Sequence, residues 1–167
     1  MTAKSRILDI HEINHKLKRL AWQVYEKNSA EKEIIIVGIS DRGLILANQL
    51  AGYILKISNI KTKISHLELD KDSPYNKEVT LNLAEKEYIN KVVIIVDDVL
   101  NSGKTLMYSA KHFLTTPLTS LSVMVLVDRN HNCYPIKADY IGLSLATTLQ
   151  EYINVVLKGD NKGIYLS

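Results

Sequence analysis

The 167-residue chain contains one cysteine, Cys133. A lone thiol cannot staple a fold, and no Cys spacing of the metal-binding kind exists, so a disulfide scaffold is excluded and a reducing compartment is expected. No window approaches the roughly 20 apolar residues of a membrane span. The N-terminal stretch MTAKSRILDIHEINHK mixes charges with short apolar steps and lacks the continuous apolar core of a signal peptide. No internal repeat, low-complexity tract or linker interrupts the chain. Charge of one sign is also scarce: the net charge is only +3. That balance suits anionic small molecules or RNA without choosing between them. The expectation is a cytoplasmic protein with no membrane partner. With 46% hydrophobic residues, the length suits one domain spanning 1–167 around a single core.

Apolar periodicity supplies the elements. Ile10, Ile13, Leu17, Leu20, Ala21 and Val24 recur at helical spacing, which predicts a helix over Asp9–Asn28. Asp9 with Glu12 forms a capping-box pattern at its start. Glu33–Ile39 reads as a buried parallel strand, and Arg42–Ile57 as the helix after it. Lys61–Leu69 is a second strand. Asp70–Asn90 is polar and irregular, a mobile excursion with a short strand at Glu78–Asn82. Lys91–Val96 is the strongest buried strand and Gly103–Leu114 its helix. Ser120–Val127 is a further strand, Asp139–Gly142 begins another, and Glu151–Leu157 is the last before a tail ending at Tyr165. Strands alternating with helices imply an α/β fold with a central parallel sheet flanked by helices. Ligands of such sheets bind beyond the carboxyl ends of the strands. That rule selects three loops: Ser40–Gly43, Asp97–Thr105 and Asp128–Pro135.

The segment VVIIVDDVLNSGKTL, Val92–Leu106, carries the chemistry. A buried strand ends in two carboxylates, Asp97 and Asp98. A short loop, Asn101-Ser102-Gly103-Lys104-Thr105, then opens a helix. Free N–H groups at a helix N-terminus favour a phosphate. Gly103 allows close backbone approach, and Ser102 and Thr105 add hydroxyl donors. The acids can hydrogen-bond sugar hydroxyls or help place a divalent cation. Together these groups span about one ribose 5-phosphate. A Walker P-loop needs a glycine five residues before Gly103, where Asp98 stands, so that reading fails on spacing. The plain alternatives are a solvated strand end and an ordinary helix start.

Val96–Thr105 resembles the phosphoribosyl pyrophosphate (PRPP) signature of type I phosphoribosyltransferases. Val37-Gly38-Ile39-Ser40-Asp41-Arg42-Gly43-Leu44 is similar to the pyrophosphate loop of the pyrimidine operon regulator/uracil phosphoribosyltransferase group. Leu126–His131 followed by Pro135–Gly142 is similar to that group's third signature. The likeness runs from about Ile7 to Tyr165.

The resemblance implies the type I phosphoribosyltransferase fold, with a small hood and a flexible loop. It implies that Asp97 and Asp98 hold ribose hydroxyls and, through PRPP and water, Mg²⁺. Asn101, Ser102, Gly103, Lys104 and Thr105 would cradle the 5-phosphate. Ser40, Asp41, Arg42 and Gly43 would form the pyrophosphate loop, with a strained or cis peptide and with Arg42 as the catalytic charge. Arg129 and Ile136 would belong to the base-side hood. For Arg42 a solvent-facing helix start, and for Arg129 an edge-loop ion pair, are the plain alternatives. His131 reads as a loop residue. Relatives carry a longer flexible loop that includes an arginine, whereas no arginine stands between Arg42 and Arg129 here. Lys71, Tyr75 and Lys77 are the candidates in that loop, with the lysines as point charges. The implied reaction is Mg²⁺-dependent transfer of ribose 5-phosphate from PRPP to a nucleobase. Asn101 cannot act as the general base that purine-type relatives place there, which favours uracil. The alternative is a nucleotide-sensing RNA-binding regulator on the same scaffold, with Lys16, Lys18, Arg19 and Lys137 as candidate charges. Homo-oligomers, commonly dimers, are the family's usual assembly.

Overall fold

Uninterrupted aliphatic runs are buried on both faces, and such strands belong to parallel sheets enclosed by helices. The computed structural model, which describes residues 5–167, has this arrangement. In chain order its elements are β1 (Ser5–Asp9), α1 (Ile10–Lys27), β2 (Glu33–Ile39), α2 (Ser40–Ile57), β3 (Lys61–Glu68), β4 (Thr80–Leu81), α3 (Glu85–Tyr88), β5 (Val92–Leu100), α4 (Lys104–Phe113), β6 (Ser120–Asp128), β7 (Tyr140–Ser144), β8 (Ile153–Val156) and β9 (Gly163–Leu166). The central sheet has six strands in the order β4-β3-β2-β5-β6-β7. All pair in parallel except the short edge strand β4, which runs antiparallel to β3. β1, β9 and β8 make a separate antiparallel sheet.

Alternation along each strand assigns side chains to the two faces of the sheet. Ile34, Ile36, Ile94, Val96 and Met124 pack with Leu17, Leu20, Leu46 and Leu50 of α1 and α2. Ile35, Val37, Val93, Ile95 and Val123 pack with Tyr88, Leu106 and Phe113 of α3 and α4. Each fully buried aliphatic side chain contributes roughly 1.5–3 kcal/mol. A one-residue slip of β5 would exchange these two sets and move the acids after Val96 to the opposite faces, so core packing also fixes the site.

Local chemistry sets the element ends. Asp9 Oδ1 accepts from the Glu12 amide at 2.9 Å while Glu12 Oε2 accepts from the Asp9 amide at 2.8 Å, the expected capping box. At the β2–α2 junction a Cβ on Gly38 would lie 2.4 Å from the Leu44 backbone, and one on Gly43 would lie 2.5 Å from the Val96 carbonyl. Only glycine allows this strand–helix–strand contact.

The structure changes several expected boundaries. β5 continues to Leu100, so Asp97 and Asp98 lie inside the strand rather than after it. α2 begins at Ser40, so Ser40–Gly43 is a helical first turn and not a loop. β1 was not anticipated, and it pairs with β9, where a tail was expected. The strand expected over Glu78–Asn82 shrinks to Thr80–Leu81, and α3 occupies part of the excursion read as irregular.

Candidate functional site

Gly103 is the N-cap of α4 and has a left-handed φ of 85°. It has no side chain to accept from the first helical amides; Ser102 Oγ accepts from the Lys104 amide at 3.3 Å, and the amides beyond it are open to an anion. A Cβ there would lie 2.7 Å from Ile136 Cγ2, so Ile136 packs directly over the cradle. The Ser102 carbonyl accepts from the Cys133 and Tyr134 amides at 2.8 and 3.0 Å, which ties the cradle to the loop after β6. Lys71, Asp97, Asn101, Ser102, Gly103, Lys104 and Thr105 line one cavity of about 190 Å³ with adjacent β5 and α4 residues. A wider groove, about 660 Å³, lies at the amino ends of the strands beside Glu33, Lys61 and Lys91. There Lys91 pairs with Glu33 at 3.2 Å, and nothing resembling an anion cradle is present.

Strand alternation sends Asp97 towards the face of Ile95 and Asp98 towards that of Val96. Their contacts agree. Asp98 Oδ2 meets Arg42 Nε at 3.0 Å, and Arg42 Nη1 also donates to the Val155 carbonyl of β8 at 3.4 Å. Asp97 faces the cavity, with Lys71 Nζ 3.6 Å from its Oδ1. Both carboxylates are buried. Burial, and then the neighbouring Asp98 charge, push Asp97 up to about 8, and Lys71 pulls it back only part of the way. At neutral pH Asp97 therefore holds a proton, and the Lys71 contact is a long ammonium–carboxyl contact rather than a full ion pair. Asp98 is paired with an arginine that cannot deprotonate.

The other sequence-derived residues divide. Lys104 lines the cradle, and its Nζ donates to the Asp72 carbonyl at 2.8 Å. Ser40 has φ 53°, the left-handed region that strains a side-chain-bearing residue; no cis peptide occurs among the described residues. Asp41 is exposed, and Lys158 approaches it at 3.9 Å. Tyr75 and Lys77 stand away from the cradle, in a groove with Tyr108 and Lys111. Of the three candidates in the flexible segment, only Lys71 reaches the cavity.

Arg129 is neither spread over an open base site nor in an edge ion pair. It is 5% exposed. Its guanidinium donates to Thr147 Oγ1 at 2.9 Å, to the Thr148 carbonyl at 3.3 Å and to the Glu151 carbonyl at 2.6 Å, and it reaches Asn101 Oδ1 at 3.3 Å. It thus links the cradle to the segment before β8. His131 Nε2 lies 2.6 Å from the Thr147 carbonyl, a loop tether as expected. Sequence reasoning missed Asp72, Thr147, Thr148, Glu151 and Val155. All five contribute through backbone carbonyls, for which side-chain identity carries no signal.

A Phosphoribosyl transferase domain profile matches residues 3–157. The chain belongs to the phosphoribosyltransferase family. Within the family it is similar to the Bifunctional protein PyrR of Clostridium acetobutylicum, 32% identical over 176 residues that cover 99% of each chain. It is also similar to the Bifunctional protein PyrR of Thermoanaerobacter sp. (strain X514), 29% identical with 97% of this chain and 95% of the relative covered. Among solved structures, the hypoxanthine phosphoribosyltransferase of Trypanosoma cruzi shares the fold at a TM-score of 0.74 and 16% identity, covering 86% of this chain and 78% of that one. A hypoxanthine-guanine phosphoribosyltransferase from Bacillus anthracis gives a TM-score of 0.72 at 20% identity, covering 89% and 86%. The fold and the resemblance to the pyrimidine operon regulator/uracil phosphoribosyltransferase group are thereby borne out. No helix of the described residues is long and apolar enough to cross a membrane.

Proposed function

We propose that the chain binds PRPP and transfers its ribose 5-phosphate to a pyrimidine base, uracil, with release of pyrophosphate. The observation that carries this reading is the single cavity lined by both the start of α4 at Gly103–Thr105 and the Asp97 carboxyl. A 5-phosphate would take the α4 amides, Ser102 and Thr105. Asp97, protonated at neutral pH, would both donate to and accept from a ribose hydroxyl. In the reaction the bond from ribose C1 to pyrophosphate breaks and a C1–N bond to the base forms, while the base nitrogen loses its proton. Arg42 Nε meets Asp98 Oδ2 at 3.0 Å beside β8, so its charge is shared with that side chain. Asn101 accepts from Arg129 and offers no basic group to a purine.

Mg²⁺ belongs to this reading. No cluster of three His, Cys, Asp or Glu side chains able to cage a metal occurs among the described residues. A magnesium ion held by one carboxylate together with substrate phosphates would have Asp97 as its protein ligand, which would give up its proton on binding, since Asp98 is engaged with Arg42 on the other face. When bound, it would neutralise charge building up on the departing pyrophosphate. Cytoplasmic location and a homo-oligomer, commonly a dimer, are part of the same proposal. The test is pyrophosphate release from PRPP and Mg²⁺ with a panel of bases. Release is expected with uracil and not with hypoxanthine or guanine, and no release with any base would remove the enzymatic reading.

One observation favours a second activity, binding of single-stranded RNA. Lys18 and Lys56 stand over the Tyr53 ring at 5.9 and 5.5 Å, beside the half-exposed Trp22. They line a groove of about 270 Å³ between α1 and α2. Lysines interleaved with aromatic faces suit phosphates and stacked bases. Arg19, a candidate charge with Lys16, Lys18 and Lys137, is engaged with the carbonyls of Ile141 and Gly142 at 2.9 and 2.7 Å. RNA affinity should fall with salt at a slope of about −0.7 per neutralised phosphate. Lys18→Ala with Lys56→Ala should flatten the slope by about one to two phosphates, and no affinity at low salt would exclude this reading.

A further inference from the structure

We propose that His11 and His15, on the first two turns of α1, chelate one divalent late transition-metal ion of the Zn²⁺ class. The site is separate from the phosphoribosyl cavity and does not depend on the reading of that cavity. His11-Glu12-Ile13-Asn14-His15 has the spacing H-E-x-x-H. On a helix this spacing places two imidazoles on one face, with Cβ atoms about 5–6 Å apart, so both can reach one metal ion. The helix α1 covers the whole segment. Ile13, midway between the two histidines, is fully buried. At about 100° per residue His11 and His15 both lie on the side opposite Ile13, and both are exposed.

The surroundings decide what such a site can do. In a zinc hydrolase of this spacing the glutamate is the general base and a further side chain completes the metal shell. Neither part is present here. Glu12 Oε2 accepts from the Asp9 amide at 2.8 Å, so the capping box holds it. No cluster of three metal-binding side chains occurs among the described residues. The site is therefore a two-histidine chelate with water at the other metal positions, and it binds without hydrolysing. Neutral imidazole suits Zn²⁺, Ni²⁺ and Cu²⁺, whereas Mg²⁺ takes oxygen ligands.

The local charge admits a cation. His11 and His15 line one groove of about 480 Å³ with Asp9, Glu12, Lys16 and Arg19. The two acids offset the two basic residues. Arg19 is also drawn away, since its Nη2 donates to the Ile141 and Gly142 carbonyls of β7 at 2.9 and 2.7 Å. Asp9 Oδ1 accepts from the Glu12 amide at 2.9 Å and so counters the positive end of the helix. An ion shared by His11 and His15 ties the first turn of α1 to the second. The unfolded chain does not hold the pair at this spacing, so the ion stabilises the folded chain.

Calorimetry on the untagged full chain, titrated with ZnCl₂, NiCl₂ and MgCl₂ in turn, tests the site. One Zn²⁺ or one Ni²⁺ per chain should bind with a micromolar dissociation constant, and millimolar Mg²⁺ should not displace either. His11→Asn and His15→Asn should each weaken Zn²⁺ binding at least about tenfold, because each leaves a single imidazole. Cys133→Ser removes the one exposed thiol and should leave Zn²⁺ affinity unchanged. Zn²⁺ at about 100 times its dissociation constant should raise the wild-type Tm by at least about 2 °C, and that of His15→Asn by less than half as much. Both histidines are exposed, so the variants should match the wild-type Tm in EDTA. Undiminished Zn²⁺ binding by either histidine variant overturns the site. Loss of binding in Cys133→Ser, or displacement of Zn²⁺ by Mg²⁺, does the same.

Discussion

Replacing Asp97 by asparagine should make the ligand-free protein more stable at pH 8 and remove most of a pH dependence that the wild type carries. In the native state burial and Asp98 raise Asp97 from 3.8 to about 8. The unfolded chain releases this proton near pH 4, while the native state keeps it until about pH 8. Between those limits the native state binds more protons, so stability falls as pH rises and levels off above pH 8. Every tenfold gain in proton affinity on folding corresponds to about 1.4 kcal/mol, so the effect is on the order of several kcal/mol, a large part of the roughly 5–15 kcal/mol of a typical domain. At about 2–4 °C per kcal/mol for a chain of this size, the wild-type Tm should drop by at least about 5 °C between pH 5 and 8.5. Asparagine keeps the oxygen that accepts from the Asp98 amide at 2.9 Å, so the local geometry survives the change. His112, lowered by burial, adds a slope of the opposite sign on the acid side of its ordinary value. It is common to both proteins and cancels in the difference. Calorimetric unfolding of the two proteins at half-unit pH steps is the assay. Parallel Tm curves for wild type and Asp97→Asn would refute the protonated-carboxyl account of the site.

Gly103→Ala should cost about 1–3 kcal/mol, because φ 85° is strained for alanine and the new Cβ would meet Ile136 Cγ2 at 2.7 Å. The same variant should lose ribose 5-phosphate binding in calorimetry. Asp9→Ala removes half of the capping box and should cost about 1 kcal/mol in denaturant unfolding, with ribose 5-phosphate affinity unchanged. Arg129→Met removes a buried guanidinium that holds Thr147, Thr148, Glu151 and Asn101. It should cost about 3–5 kcal/mol in denaturant unfolding, with the Glu151 carbonyl left without its donor. Asn101→Asp should form an ion pair with Arg129 and therefore fail to release pyrophosphate with hypoxanthine, which the base panel measures.

The parallel core and the cradle were legible because each is written in short-range pattern. The EIIIVGI and KVVIIV runs can be satisfied only by burial on two faces, and the helices between them show a 3.6-residue stripe. Asp9 and Glu12 cap across three residues, a distance over which sequence constrains geometry directly. β1 and β9 escaped because they pair across the whole length of the chain and are each only four or five residues long. α3, with four residues, has no period to detect. The helical start at Ser40, with its positive φ, escaped because it lies where Gly38 packs on the Gly43–Leu44 backbone and Gly43 on Val96 of β5, a tertiary arrangement.

The two acids show where a motif stops being informative. As a sequence, Asp97-Asp98 is a pair, and the natural reading gives both members one ligand. In the strand, neighbours point to opposite faces. Asp98 is drawn to Arg42 of α2, while Asp97 faces Lys71 and the cradle. Their environments differ: Asp98 meets a guanidinium, while burial and then the neighbouring Asp98 raise Asp97. Extension of β5 to Leu100 is what produces the split, since acids placed after the strand would have been free to turn towards the same side. Substitutions at the two positions should therefore not be equivalent. Loss of Asp98 leaves Arg42 without its carboxylate partner, whereas loss of Asp97 changes the cavity and removes the contact with Lys71.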